Sequence, residues 1–301
     1  MNTQKITIVD NPVQRAEIIF DHLDTSEATR MDYKARIGVF LRFVQTNGMS
    51  RDVFLEFKRI LSSRNDIATS TKNKYLVVAK IFLKELNRQG LLPIDLTQNV
   101  RCFSESKKHK VDGLSESEIQ CLSSAIHQLT PSQASTRLKA ILCLLTLQGL
   151  RQVEIVRLNV SDIDFIRKSA SVLGKGKDDK EIVYLHPEVM RAIQTYMTTN
   201  SIADGALFVS RSNHGKNQRL TTRGLRGIIQ RVLKGLGIMK TVHGFRHYFT
   251  TRLIESYKAD LLTVAHYTRH RSIETLQIYN DNMKHKKDLP RFYKVFSSVQ
   301  F

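Results

Sequence analysis

Four short stretches of this 301-residue chain carry side chains of the types that phosphoryl chemistry uses. Arg151 and Glu154 lie three apart in "QGLRQVEIVRL". Lys175 and Lys177 share the glycine-flanked turn of "LGKGKDDKEIVYL". His243, Arg246 and His247 crowd into "TVHGFRHYFT", and His270 precedes Tyr279 by nine residues in "HRSIETLQIYN". His243 and His247 are one helical turn apart and can share a face. That is the spacing of the two zinc ligands in H-E-x-x-H, but no Glu follows His243 and no third ligand is marked. The pair can equally be the polar end of an ordinary helix, or half of an anion clamp built on Arg246. Singly, a tyrosine near a helix end packs and a loop histidine is solvated.

As a set, these residues supply phosphodiester transfer without a metal or other cofactor. Two guanidinium forks, Arg151 and Arg246, can hold non-bridging phosphate oxygens and offset charge as it develops. Imidazoles add hydrogen bonds or move protons. A phenolate can attack phosphorus, and with a pKa near 10 it also leaves, so the covalent step can run backwards. A lysine can protonate the departing ribose oxygen.

The elements that must position these groups are mostly helices. Thr25 or Ser26 can cap a helix with Tyr33, Ile37, Phe40, Leu41 and Val44 at helical spacing, closed by "NG" at 47–48. Ser50 can cap "RDVFLEFKRIL", and a third helix covers about 70–89 with Tyr75, Val78, Phe82 and Leu86 as its buried stripe. Lys72, Lys80 and Lys84 lie off that stripe, on a face that is either merely solvated or meets phosphates. The polar, basic run "SESKKHKVDG" reads as a linker. Residues 1–103 are then an N-terminal helical domain, 104–112 the linker and 113–301 the catalytic domain. Beyond the linker, Ser115 and Glu118 offer a capping box, and "TRLKAILCLLTLQG" is an apolar helix that stops at Gly149. Runs 169–173 and 181–185 form a hairpin around the lysine turn. Ser272 can cap a helix over Ile273–Ile278, leaving His270 in the preceding loop and Tyr279 near the helix end. Phe292, Val295, Phe296 and Val299 make an apolar stripe on a tail helix that Asp288 and Pro290 suit at its start.

Lys and Arg total 47 against 28 Asp and Glu, a formal net charge of +19. Such a surface attracts polyanions, with nucleic acid the first candidate. A basic ribosome-like protein, or one that meets anionic membranes, is the alternative. No apolar run approaches the roughly 20 residues of a membrane span, and the N-terminus lacks a signal-peptide layout. Cys102, Cys121 and Cys143 are scattered and suit neither a disulfide framework nor a zinc site. These features lead us to expect a cytoplasmic protein, with reduced thiols and no membrane partner.

The four stretches resemble, in order and spacing, the boxes of the tyrosine recombinase (lambda-integrase) family. "GLRQVEIVRL" is similar to Gly-Leu-Arg-x-x-Glu-x-x-x-Leu, "LGKGKDDKEIVYL" to the lysine hairpin, "HGFRHYFTT" to His-x-Leu-Arg-His-x-x-x-Thr, and "HRSIETLQIYN" to His-x-x-x-x-Thr-x-x-x-Tyr. The resemblance runs from about residue 15 to the end. It implies a mainly α protein: an N-terminal helical core-binding (SAM-like) bundle, then a mostly helical catalytic domain with a small three-stranded antiparallel sheet. It implies a site-specific DNA recombinase that works through a 3′-phosphotyrosyl intermediate. Arg151 and Arg246 would clamp the scissile phosphate, His243 and His270 complete the pocket, Lys175 act as general acid and Tyr279 as nucleophile. Glu154 and His247 would support them. Lys177, with Lys180, leaves the choice of acid slightly open. Lys177, Arg223 and Arg226, the last two in "LTTRGLRGIIQR", join Lys72, Lys80 and Lys84 as DNA-contact candidates. The implied partners are a double-stranded DNA target site, a homotetramer on two such sites, with the tail helix either packing on its own domain or docking on a neighbour, and accessory DNA-bending or directionality proteins. A prokaryotic, nucleoid-associated location follows. A type IB topoisomerase, a telomere resolvase or a non-catalytic regulator would share the fold. Three departures stand out: "QGLR" for Thr-Gly-Leu-Arg, "EIVYL" without the usual Arg and Pro, and "YTRHRS" for Leu-Gly-His.

Overall fold

A computed structural model describes residues 12–105, 113–174, 176–211, 217–270 and 272–295. They belong to two compact units, Met1–Ser106 and Lys107–Phe301.

The first unit holds α1 (Pro12–Asp21), α2 (Glu27–Asn47), α3 (Val53–Ser63) and α4 (Thr69–Arg88). Of the two capping candidates, Ser26 caps α2: its side chain accepts from the Thr29 N–H, and Gly48 at φ 81° closes the far end. Aromatic side chains fill the core, where Phe40 meets Phe57 edge-on with ring centroids 5.0 Å apart. Two expectations change here. A helix at Pro12–Asp21 precedes the one capped at Ser26, which the sequence reading places first. Ser50 does not cap α3, which begins after Asp52 where its buried stripe of Val53, Phe54, Phe57 and Leu61 begins; the Ser50 hydroxyl donates to Glu56. On α4, Val78, Phe82 and Leu86 are buried together with Leu76, Ala79 and Leu83, while Tyr75 is half-buried. Lys84 is exposed and Lys72 and Lys80 are half-buried. Lys72 donates to the Ser62 carbonyl and lies 5.9 Å from the Phe103 ring.

The second unit holds α5 (Glu116–His127), α6 (Gln133–Leu147), α7 (Gln152–Arg157), β1 (Ile163–Asp164), β2 (Ser169–Leu173), β3 (Lys180–Tyr184), α8 (Pro187–Asn200), α9 (Thr222–Gly235), α10 (Val242–Ser256), α11 (Leu261–Thr268) and α12 (Ile273–Val295). The sheet is antiparallel in the order β1-β2-β3, with Ser169 opposite Tyr184 and Leu173 opposite Lys180. The Ser115–Glu118 capping box forms. So does a second box, from Ser132 to Ser135, which starts α6 three residues ahead of the expected Thr136. The core is built on α6, whose Ala140, Ile141, Leu144 and Leu145 are fully buried between α8 and α10.

The end of the chain departs from expectation. Tyr279 lies near the start of its helix rather than near its far end, and no separate tail helix begins at Asp288 or Pro290. One helix, α12, runs through Pro290 to Val295. Proline removes one helical hydrogen bond and crowds the preceding turn, but Pro290 lies on an exposed stretch where water can take the freed carbonyl. Phe292 and Val295, in this part of the apolar stripe, are exposed. Phe296 and Val299 lie outside the described residues. No helix among the described residues is long and apolar enough to cross a membrane.

Candidate active site

The site begins where α6 must stop. Gly149 adopts φ +56°, and a β-carbon there would lie 2.2 Å from the Phe249 ring, so only glycine fits this turn. The turn delivers Arg151 to the N-cap of α7. Glu154 is buried and folds back on the cap: it accepts from the Arg151 N–H at 2.7 Å and from Arg151 Nη1 at 2.8 Å. Arg269 Nη2 donates at 2.9 Å to Oε2, the oxygen that also accepts the Arg151 N–H. Burial alone would raise the Glu154 carboxyl, but Arg269 and then Arg151 hold it below the usual range.

Arg246, on the second turn of α10, is buried. Its Nη1 donates to the Gly149 carbonyl at 2.7 Å and its Nη2 to the Thr268 carbonyl at 2.5 Å. Burial, and the guanidiniums of Arg151 and Arg269, push its pKa down to about 9. His270 Nε2 lies 3.5 Å from Arg246 Nη2, and His270 Nδ1 lies 2.6 Å from Thr268 Oγ1. The Thr268 hydroxyl gives its one proton to the Val264 carbonyl, so it can only accept from His270. Nδ1 therefore carries the ring proton, and Nε2 turns its lone pair to Arg246. Burial, then Arg246, Arg151 and Arg269, drive the His270 pKa down to about 3, so the ring is neutral at physiological pH.

His270 and Tyr279 meet because the chain turns between α11 and α12. His270 stays in the loop, and Tyr279 sits on the second turn of α12. Their ring centroids are 6.5 Å apart. Tyr279 is 4% exposed, packed with Ile254, Val264 and Leu276. The His247 ring lies 4.5 Å from it. Burial raises the phenol pKa, and Arg246 and Arg151 offset this only in part. His247 is also hemmed in by Gly113, where a β-carbon would come 2.7 Å from Nδ1. His243, on the first turn of α10, is exposed.

The pocket thus joins Arg151, Glu154, Arg246, His247, His270 and Tyr279. Lys175 lies outside the described residues. Lys177 pairs with Glu181 and Lys180 with the buried Asp162. A cleft of about 480 Å³ separates β3 from α11, lined by Lys177, Glu181, Tyr184, His266, Arg269 and His270. Arg223 and Arg226 are exposed on α9, and Lys72, Lys80 and Lys84 belong to the other unit. Among the described residues no group of three or more His, Cys, Asp or Glu side chains is placed to hold a metal ion. The sequence reading missed Arg269 and Thr268. The signal for Arg269 was its place in "YTRHRS", where the family pattern has glycine.

Residues 113–286 match the model of the phage integrase family. The chain is 28% identical to the tyrosine recombinase XerD of Oceanobacillus iheyensis, covering 89% of this chain and 92% of that one. It is 27% identical to the tyrosine recombinase XerC of Roseiflexus sp., covering 86% and 85%. In fold it is similar to the XerH site-specific recombinase bound to its difH substrate, with a TM-score of 0.69 at 16% identity over 93% of this chain and 85% of that one.

Proposed function

This chain belongs to the phage integrase family and is a tyrosine site-specific recombinase, and we propose that the pocket around Arg246 and Tyr279 is where it cuts and rejoins DNA. The observation that carries this reading is an imbalance of charge. Three guanidiniums, Arg151, Arg246 and Arg269, surround a single carboxylate, Glu154, beside a buried phenol. A phosphodiester supplies the missing anion.

Arg151 and Arg246 grip the non-bridging oxygens of the scissile phosphate. Tyr279 Oη attacks phosphorus, the bond from phosphorus to the 5′ oxygen breaks, and a 3′-phosphotyrosyl link forms. Lys175 protonates the departing 5′ oxygen; that Lys177 and Lys180 are each engaged by a carboxylate favours Lys175 for this task. His270, with its pKa near 3, is a poor base and serves to orient Arg246. The phenol proton is lost to solvent as the bond forms, and His243, whose charge is felt at His270, completes the pocket with a hydrogen bond to the phosphate. A 5′-hydroxyl from the partner strand then attacks the link and releases Tyr279, so bond energy is conserved and neither metal nor ATP is needed.

In this reading residues 1–103 are a DNA-grasping domain whose contacts include Lys72, Lys80 and Lys84, residues 104–112 the linker, and 113–301 the catalytic domain, with Lys177, Arg223 and Arg226 also facing DNA. The working assembly is a homotetramer on two duplex sites in the cytoplasm. The exposure of Phe292, Tyr293 and Val295 supports docking of this end of α12 on a neighbouring protomer. Accessory DNA-bending or directionality proteins complete this assembly, and strand exchange that changes when they are added to the assay defines their part.

The test is a covalent adduct. Incubated with a nicked target duplex, the protein should form a protein–DNA link that denaturation does not break. Tyr279→Phe should abolish the link and leave DNA binding intact; an adduct that survives this change would remove Tyr279 as nucleophile. Relaxation of any supercoiled plasmid by a monomer would favour a topoisomerase instead.

A further inference from the structure

We propose that Arg269 is a positioning residue for strand cleavage: through Glu154 it fixes Arg151, and it ties the loop before α12 to the other arm of the phosphate clamp. The inference rests on the reading of the pocket given above.

Arg269 ends α11 in the left-handed region, at φ 54° and ψ 44°, where its N–H reaches back to the carbonyls of Ala265 and His266. Glycine adopts that conformation freely, and a side chain there is crowded. A glycine would close α11 unaided, so the backbone does not explain an arginine.

The side chain has a different task. It runs into the protein and is 7% exposed. Its Nη2 meets Glu154 Oε2 at 2.9 Å and its Nη1 lies 3.4 Å from the Tyr267 carbonyl. Glu154, whose own side chain is fully buried, uses its second oxygen for Arg151 Nη1. Arg151 is about one-third exposed and is the member of this trio that faces solvent. Its free rotation is restrained by Glu154, and Glu154 in turn by Arg269. Without Arg269, Glu154 keeps only Arg151, the N–H on Oε2 and Nη1 on Oε1, and the buried charge would either draw the Arg151 guanidinium toward Oε2 or take up a proton. Either change moves the guanidinium away from the phosphate.

The neighbour of Arg269 completes the link. His270 leans on Arg246, the opposite arm of the clamp. Residues 269 and 270 therefore hold both arms, Arg151 through Glu154 and Arg246 directly, and α12 with Tyr279 follows within a few residues. Clamp geometry and nucleophile position are set by one loop.

The experiment measures single-turnover adduct formation on a nicked duplex, together with DNA affinity and thermal melting. Arg269→Gly keeps the left-handed turn and removes the guanidinium. We expect it to fold but melt at a lower temperature, since a buried ion pair is broken, and at saturating protein to react about tenfold more slowly, with Arg269→Lys recovering much of the loss in rate. In an Arg151→Lys background, Arg269→Gly should cost less than about twofold more, because both changes act on the same guanidinium. An undiminished rate for Arg269→Gly overturns the proposal. So does a full additional loss in the Arg151→Lys background, which would mean a direct phosphate contact or a general structural role. Should Arg269→Gly fail to fold, Arg269→Met against Arg269→Lys makes the same comparison, and equal rates for the two overturn it. Failure of the underlying reading looks different: the unaltered protein would then form no Tyr279-dependent adduct.

Discussion

His270 shows how the pocket sets the chemistry of one side chain. Its tautomer is fixed by Thr268, whose proton is committed to Val264, and its charge is suppressed by burial and three arginines. The pH dependence of stability follows. The unfolded chain protonates His270 near the ordinary 6.5, whereas the folded chain resists until about 3. Between those values the unfolded state binds more protons, so stability falls as pH falls. Glu154, held below its usual range, adds its own loss only below about 4.5. In urea titrations between about pH 6.5 and 4.5, His270→Gln should therefore lose less stability than the unaltered protein. Equal slopes would show that His270 is not suppressed in the folded state. Most of this pocket was legible as residue types at fixed spacing. Arg269 was not, because its partner Glu154 lies 115 positions away.

At the level of elements, the join between α6 and α7 is the most demanding. Gly149 must be left-handed, must leave room for Phe249, and must present its carbonyl to Arg246. Gly237, just after α9, also has a positive φ, +70°, with the Gly237 and Ile238 N–H groups donating to the Lys234 and Leu233 carbonyls as in a left-handed helix cap, but nothing lies within 4 Å of its β-carbon position. Gly237→Ala should cost only the backbone strain, about 1 kcal/mol. Gly149→Ala adds a clash to that strain, and the expected loss is about 2–4 kcal/mol with slower adduct formation. Chemical denaturation of the two variants checks this; equal losses would mean that Phe249 moves aside freely. The caps of α2 and α5 and the lysine hairpin could be read from sequence because each depends on residues a few positions apart. The start of α3 and the passage of α12 through Pro290 could not. Both turn on which positions the surrounding structure buries or leaves to water.

For the whole molecule the governing quantity is charge. A net +19 makes DNA affinity depend on counterion release, with log K falling by about 0.9 per phosphate contact for each unit of log salt. Lys84→Ala in the first unit and Arg226→Ala in the second should each reduce that slope by about one and weaken binding to all sequences alike. Fluorescence anisotropy from about 50 to 200 mM salt measures it. An unchanged slope would take that residue out of the DNA interface. Adduct formation itself should be unaffected by EDTA, since the arginines carry the charge that a metal would otherwise offset; strong inhibition would reopen the metal reading of His243 and His247.

By itself the sequence determined the class of chemistry and the order of the parts. Basic composition, the helix caps, the hairpin and the four boxes are local or additive properties, set within a few positions of each residue. The tertiary structure decided which of those groups work together. It buried Tyr279 against His247 and engaged Lys177 and Lys180 with carboxylates. It also placed Glu154 between two arginines from distant parts of the chain. These are effects of low dielectric and close packing, and the Glu154–Arg269 pair exists only once segments more than a hundred residues apart have closed on one another.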